Sequence, residues 1–202
     1  MSHYYSLDQS DVESSPKMFE YNFKGVNFKF NTDNGVFSKA FVDYGSYVLL
    51  KAFKPNDIEL PILDMGAGYG PIGIIVSKMF NCHVVMCEIN ERAYELCKKN
   101  IELNSVDAEV FHSDLFEKID EDEKFSAILT NPPIRAGKAT VYKIFEEAKK
   151  HLPPEGELWI VIRKQQGEDS ARKYLKTLFT NVDIVTKDKG YYILRAYDAL
   201  PF

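Results

Sequence analysis

The stretch Pro61-Ile-Leu-Asp64-Met-Gly66-Ala67-Gly68-Tyr-Gly70-Pro-Ile-Gly73 decides the fold. Residues 61–65 form an apolar run short enough for a strand. The run meets a cluster of glycines and passes into residues 71–80, whose apolar residues recur at helical spacing. Pro71 stands where the first helical turn begins, and there its missing N–H costs nothing. Strand, glycine turn and helix in direct succession open an alternating α/β chain.

Outward from that stretch the alternation continues. Residues 83–88 read as a strand, 91–103 as an amphipathic helix, and 108–111 and 126–130 as further strands. Residues 140–152 read as a helix, 157–163 as a strand and 170–179 as a helix, and a closing hairpin (182–186 and 191–196) turns at Lys189-Gly190. Upstream, Phe19, Tyr21 and Phe23, then Phe28 and Phe30, alternate with polar residues on either side of Gly25, the pattern of a β-hairpin. Residues 42–53 carry helical apolar spacing and end before Pro55. The expected fold is α/β and Rossmann-like. It has a seven-stranded, mostly parallel sheet with one antiparallel strand, helices on both faces and an N-terminal β-hairpin. One domain is expected over 1–202, with an N-terminal extension (1–55) and a cofactor-binding core (56–202).

Composition agrees with a globular chain. The 202 residues are 45% hydrophobic and 27% charged, with a net charge of −5, which excludes a disordered chain and a generally basic nucleic-acid coat. Residues 135–176 depart from that balance. They hold ten Lys and Arg against six Asp and Glu, or +4, while the remainder holds fifteen against twenty-four, or −9. The start of the chain has no basic and apolar leader pattern, and no apolar run approaches the ~20 residues that span a bilayer, so a cytoplasmic protein is expected. Cys82, Cys87 and Cys97 lack Cys-x-x-Cys spacing, and the four histidines lack ligand spacing, so no metal is expected. The polar residues 1–18 are expected to take their shape from what they touch.

The glycines let the backbone turn sharply and let a ligand approach where a Cβ would block it. Asp64 ends its strand next to them, and a buried acid there needs a partner, which a ligand ammonium would supply. Glu88 ends the second strand, where a carboxylate accepts both hydroxyls of a ribose. Gly68-Tyr-Gly70-Pro-Ile-Gly73 also matches G-x-G-x-x-G, with Glu88 twenty residues beyond Gly68, so an adenosine cofactor is indicated without saying which. The third strand ends at His112-Ser113-Asp114-Leu115. There Asp114 would accept from an adenine amine, with Leu115 or Phe116 against the ring, or would simply cap a helix.

Asn131-Pro132-Pro133-Ile134 follows the fourth strand directly. Two prolines fix φ and remove two donors, and Asn131 adds a side-chain acceptor. Two acceptors aimed at one point suit an exocyclic –NH2 and steer its lone pair towards an electrophile. A plain structural turn is the competing reading.

Together, Asp64-x-Gly66-x-Gly68-x-Gly70, Glu88, Asp114 and Asn131-Pro132-Pro133 resemble the class I S-adenosylmethionine-dependent methyltransferases. Asn131-Pro-Pro-Ile-Arg-Ala-Gly-Lys138, with Gly35-Val-Phe-Ser38 and Asp43-x-Gly45-Ser46, is similar to the catalytic domain of the ribosomal RNA small subunit methyltransferase C (guanine-N2) family, over about residues 20–200. The resemblance implies S-adenosylmethionine as cofactor, RNA as partner, and methyl transfer to a guanine exocyclic amine. It implies that Asp64, Gly66, Ala67, Gly68, Gly70, Glu88, Ile89, Ser113, Asp114, Leu115 and Asn131 bind the cofactor. Asn131, Pro132 and Pro133 would be catalytic. Phe37, Ser38, Asp43, Ile134, Arg135 and Lys138 would face the substrate. Ile134 stands where many N-methyltransferases of this class carry a stacking aromatic, which leaves Phe37 as the candidate to stack. Adenine N6 and a protein glutamine amide are alternative acceptors with the same –NH2 geometry. A nicotinamide oxidoreductase would leave Asn131-Pro132-Pro133 unused, and a non-catalytic RNA-binding scaffold would leave Asp64, Glu88 and Asn131 without purpose.

Overall fold

Strand residues alternate faces, and in this chain the alternation builds two cores. A computed structural model describes residues 12–38 and 41–201; the leader pattern considered above lies in residues 1–11, outside them. Ile62, Val84, Met86, Ala127, Leu129, Trp159 and Val161 point into one core, and Leu63, Met65, Val85, Cys87, Ile128, Leu158, Ile160 and Ile162 into the other. Strands apolar on both faces belong in the middle of a three-layer α/β/α arrangement.

The central sheet comprises β3 (Ile62–Met65), β4 (Val84–Glu88), β5 (Ala108–His112), β6 (Ala127–Thr130), β7 (Glu157–Arg163), β8 (Phe179–Asp188) and β9 (Tyr191–Ala199). Its order is β5-β4-β3-β6-β7-β9-β8, with β9 antiparallel to both of its neighbours. The expected seven-stranded sheet with one antiparallel strand is therefore present. The order reverses at β3 and β6, the switch point where open α/β sheets bind ligands beyond the carboxyl ends of their strands. Asp64 and Asn131 lie at those two ends.

Helices α1 (Tyr44–Ala52), α2 (Pro71–Phe80) and α3 (Glu91–Asn104) cover one face, and α4 (Lys138–Lys150) and α5 (Glu168–Leu175) the other. Sequence spacing carries the last helix to residue 179, but α5 ends at Leu175 and Phe179 opens β8. Leu175 and Phe179 are both fully buried at a four-residue interval, which helical periodicity alone misreads as one more turn. Lys189 and Gly190, both with positive φ, close the β8–β9 hairpin as expected.

The N-terminal hairpin, β1 (Lys17–Phe23) and β2 (Val26–Thr32), packs Phe23, Phe28 and Phe30 onto the α1–α3 face. Its free edge is satisfied by side chains of α3. The N–H groups of Lys29 and Asn31 donate to the amide oxygens of Asn104 (3.0 Å) and Asn100 (2.7 Å). The buried Asn100 also donates to the carbonyl of Tyr69 at 2.8 Å, which ties the hairpin to the glycine turn.

One glycine is fixed by this packing. A Cβ on Gly73 would sit 2.4 Å from Met86 Sδ and 3.2 Å from Asp64 Oδ2, so α2 reaches the sheet only without one. Gly73→Ala is expected to lower stability by about 1–3 kcal/mol, the usual range for an overpacked core. Urea unfolding checks it.

Candidate functional site

Gly66 (φ +79°) and Gly68 (φ +61°) hold the turn in the left-handed region, and a Cβ on either would meet nothing within 4 Å. The space above them is open to a ligand. Below them the turn is fastened to β4. The N–H groups of Gly66 and Ala67 both donate to the Cys87 carbonyl at 3.0 Å. The Gly68 N–H donates to Glu88 Oε2 at 2.7 Å, and Glu88 Oε1 accepts from Asn90 N–H at 2.8 Å. With the Ile89 N–H beside those of Gly68 and Asn90, the carboxylate keeps one of its four acceptor sites for a further donor. Burial pushes the Glu88 carboxyl up, and the N–H groups of Asn90 and Gly68 act against that.

Asp64 lies beneath the turn, almost wholly buried. Its Oδ2 accepts from Gly73 N–H at 2.9 Å, and its Oδ1 has no hydrogen-bond partner among the described residues. Burial pushes this carboxyl up to about 7, against the Gly73 hydrogen bond and with a smaller push from Glu88. Burial likewise raises Cys87 to about 12 and Cys97 well above the ordinary thiol range, so both are protonated core side chains.

A cleft opens over the turn, lined by the glycine loop and by the ends of β3, β4 and β6. Of the residues expected to hold the cofactor, Gly66, Ala67, Gly68, Glu88, Ile89, Ser113, Leu115 and Asn131 line it. Asp64 and Gly70 support it from behind. Gly70 shapes the start of α2, where a Cβ would meet Cys97 Sγ and Ile74 Cδ1 at 2.8 Å. Asp114 is exposed, and its neighbours Ser113 and Leu115 line the cleft where it does not. It caps no helix either; the chain makes turns there, pinned by Ser113 Oγ to the carbonyl of Leu115 and the N–H of Lys118. Leu115 lines the cleft with an apolar side chain. Phe116 turns into the opposite core and stacks on His151 at 5.1 Å.

At the far side of the cleft stands Asn131. Its Nδ2 donates to Asp43 Oδ2 (3.0 Å) and Ser46 Oγ (3.2 Å). Asp43 is the N-cap of α1 and also accepts from Ser46 N–H at 3.1 Å, so a helix start holds the amide in place. With both hydrogens of its nitrogen engaged, Oδ1 is the Asn131 atom left to accept from a ligand. The Pro132 carbonyl accepts from Ile134 N–H at 2.8 Å across Pro133 (φ −74°, ψ 77°), an inverse γ-turn that leaves it one lone pair.

A second, more open cavity adjoins the first and shares Phe37, Ser38, Asp43 and Asn131 with it. Pro132, Ile134, Arg135, Arg163, Gln166 and Tyr191 complete its wall. Asn131 thus stands at the junction of two cavities. Phe37 is 43% exposed, a large ring held at the mouth. The Arg163 guanidinium lies 5.0 Å from the Tyr191 ring centroid and brings positive charge to the rim. Lys138 lies outside this wall, with its ammonium over the Tyr142 ring at 5.1 Å.

Ser46, Tyr69 and Tyr191 are site residues whose roles sequence spacing does not show. Tyr69, in the middle of the glycine turn, is buried and donates towards the carbonyls of Phe41 (3.1 Å) and Ser38 (3.3 Å). Tyr191 packs so close to α1 that a Cβ on Gly45 would lie 2.8 Å from its ring. The Gly45-Ser46 pair was the available signal. Among the described residues no cluster of His, Cys, Asp and Glu could hold a metal ion, and no helix is long and apolar enough to cross a membrane.

The cleft fits S-adenosylmethionine. The glycine turn leaves room for its amino acid end, Glu88 offers a free lone pair to the ribose hydroxyls, and Leu115 offers an apolar face. The Asp64 carboxyl, with one oxygen unpartnered among the described residues, lies under the turn where a ligand ammonium would favour its ionised form. Fold and cleft are those of a class I S-adenosylmethionine-dependent methyltransferase. More narrowly, the profile of the methyltransferase small domain family matches residues 27–195, and the chain belongs to that family. It is 45% identical to YbxB, an uncharacterized protein of Bacillus subtilis, over 97% of this chain and 98% of that one. It is 39% identical to the ribosomal RNA small subunit methyltransferase C of Haemophilus influenzae over 63% of this chain and 39% of that one. The corresponding protein of Vibrio cholerae is 28% identical over 92% of this chain and 54% of its own length. The chain therefore spans about half the length, or less, of these curated ribosomal RNA methyltransferases. Among solved structures, a 16S rRNA N2 methyltransferase of T. thermophilus in complex with S-adenosylmethionine and guanosine superposes with a TM-score of 0.82 at 27% identity, over 91% of this chain and 50% of that one.

Proposed function

We propose that this protein methylates the exocyclic N2 amine of a guanine in RNA, with small-subunit ribosomal RNA as the substrate class. The observation that carries this reading is Asn131, which lines both adjoining cavities and is clamped through its nitrogen by Asp43 and Ser46, leaving its carbonyl oxygen as the acceptor. The relatives that act on ribosomal RNA, and the neighbour solved with guanosine, support the choice of acceptor.

S-adenosylmethionine, when bound, supplies a methyl group on a positively charged sulfur that leaves as a neutral thioether. The protein's part is alignment. Asn131 Oδ1 and the remaining lone pair of the Pro132 carbonyl accept the two amine hydrogens. They turn the nitrogen lone pair out of conjugation with the ring and towards the cofactor cleft. The nitrogen loses one proton to water as the new N–C bond forms, and no strong base is needed. Phe37 at the mouth offers the stacking face that Ile134 does not. Arg135 and Arg163 are placed to meet phosphates of a strand whose target base has been unstacked.

The test is methyl transfer from labelled S-adenosylmethionine to small-subunit RNA, followed by digestion to nucleosides. Label in N2-methylguanosine is expected. Label only in N6-methyladenosine, or only in protein, would replace guanine as the acceptor while leaving the cofactor site intact.

A further inference from the structure

The start of α3 carries a cation where the helix dipole disfavours one. Arg92 is the second residue of the helix, after the N-cap Asn90, and cations are favoured at the opposite end. Its guanidinium does not simply face water. One terminal nitrogen donates to the Asn34 carbonyl at 2.6 Å and the other to the Val12 carbonyl at 2.8 Å. The fork therefore joins three pieces of chain separated by 22 and 58 residues.

Around that fork the segment after β2 is fastened a second time. The buried Asp33 accepts from Ser14 Oγ (2.6 Å), Ser15 N–H (2.5 Å) and Asn34 N–H (2.7 Å), and the Asn34 amide donates to the Glu13 carbonyl at 3.1 Å. Burial would push the Asp33 carboxyl up, yet these hydrogen bonds and the Arg92 charge hold it below the usual range. The residues that follow are Gly35 (φ +81°), the buried Val36, Phe37 and Ser38, and the last three line the cofactor cleft. On the other side of Arg92, Asn90 N–H holds Glu88, and Ala93 lines the cleft itself.

We propose that Arg92 is a positioning residue that locks segment 33–38 to the start of α3, so that Phe37 and Ser38 stand at the junction of the two cavities while Glu88 holds the cofactor side. The short segment 12–15 is the third member of that lock. Arg92 lines neither of the two cavities; it acts through the Asn34 carbonyl.

The acceptor part of this inference rests on the function proposed above, so the experiment begins with a readout that does not. In wild type, Arg92→Met and Arg92→Lys, amide hydrogen exchange is followed at residues 34–38, together with calorimetric binding of S-adenosylhomocysteine. Arg92→Met keeps the aliphatic stem and loses both donors, and is expected to speed exchange at 34–38 by about tenfold or more, with β2 and the rest of α3 unchanged. Arg92→Lys keeps the charge but cannot span both carbonyls, and is expected to restore little of that protection. With an RNA substrate, KM for the acceptor is expected to rise about tenfold while kcat at saturation falls less. Unchanged exchange at 34–38 would overturn the proposal, as would an equal loss throughout α3. Altered exchange without detectable methylation of any RNA would instead count against the proposed acceptor. Should Arg92→Met not fold, Asp33→Asn weakens the same lock from the other side and must raise exchange at 34–38 for the proposal to stand.

Discussion

Asn131→Ala is expected to lower single-turnover methyl transfer by roughly 10²–10³-fold while the dissociation constant for S-adenosylhomocysteine stays within about threefold of wild type. The separation follows from where Asn131 stands. Its nitrogen is spent on Asp43 and Ser46, and its oxygen is the acceptor left for the incoming amine, so the loss falls on alignment. Asn131→Asp sharpens the test. It removes the donating nitrogen and sets a second carboxylate against Asp43, at the place where Nδ2 now lies 3.0 Å from Asp43 Oδ2. Two carboxylates that close cannot both ionise at ordinary cost, so one must take a proton or swing away. Asn131→Asp is therefore expected to be at least as inactive as Asn131→Ala, and an active Asn131→Asp would mean that the amide's orientation is not what aligns the acceptor. Rapid quench with labelled cofactor measures both variants.

The second large effect is a pH dependence carried by Asp64. Its carboxyl sits at about 7 in the free protein, chiefly because it is buried. A ligand ammonium held above the glycine turn favours the ionised form, so below that pH binding must also drive off a proton. Affinity for S-adenosylhomocysteine is therefore expected to rise as pH increases from about 6 to 7.5, with a limiting slope of about tenfold per pH unit on the acid side. It should flatten above about 8, where Asp64 is already ionised in the free protein and binding no longer has to drive off its proton. Asp64→Asn is expected to abolish the rising limb and to bind more weakly at pH 7.5. Stability of the ligand-free protein runs the other way. A carboxyl raised above its unfolded value of about 4 binds its proton more tightly when folded, so its contribution to stability falls as pH rises from about 4 through 7 and is constant above. The Asn variant should lack that slope in urea unfolding between pH 4.5 and 8, and an identical slope would mean another group carries it.

What could be read from sequence was whatever local geometry dictates. The glycine turn is legible because only glycine sits easily at the positive φ of Gly66, Gly68 and Gly70. Glu88 and Asn131 are legible because each falls directly after or at the end of an apolar strand, at the sheet edge where ligands bind. Asp114 shows the limit of the same reasoning. Its place after β5 is right for a ligand, but the turn at Ser113–Leu115 (Leu115 φ +51°) leaves its neighbours facing the cleft and the acid in solvent. Ser46, Tyr69, Arg92 and Tyr191 were not legible in their roles, because each acts on chain 28 or more residues away: Ser46 on Asn131, Tyr69 on Phe41, Arg92 on Asn34 and Tyr191 on Gly45. No local periodicity encodes such pairs.

A crystal structure of the protein with S-adenosylhomocysteine and a guanosine nucleotide would read the decisive distance. The guanine N2 nitrogen is expected within about 3 Å of Asn131 Oδ1, with the base in the Phe37–Arg163 cavity and its amine facing the sulfur. A guanine bound there with N2 turned away from Asn131, or an Asn131 oxygen taken up by a protein donor when both ligands are present, would contradict the account.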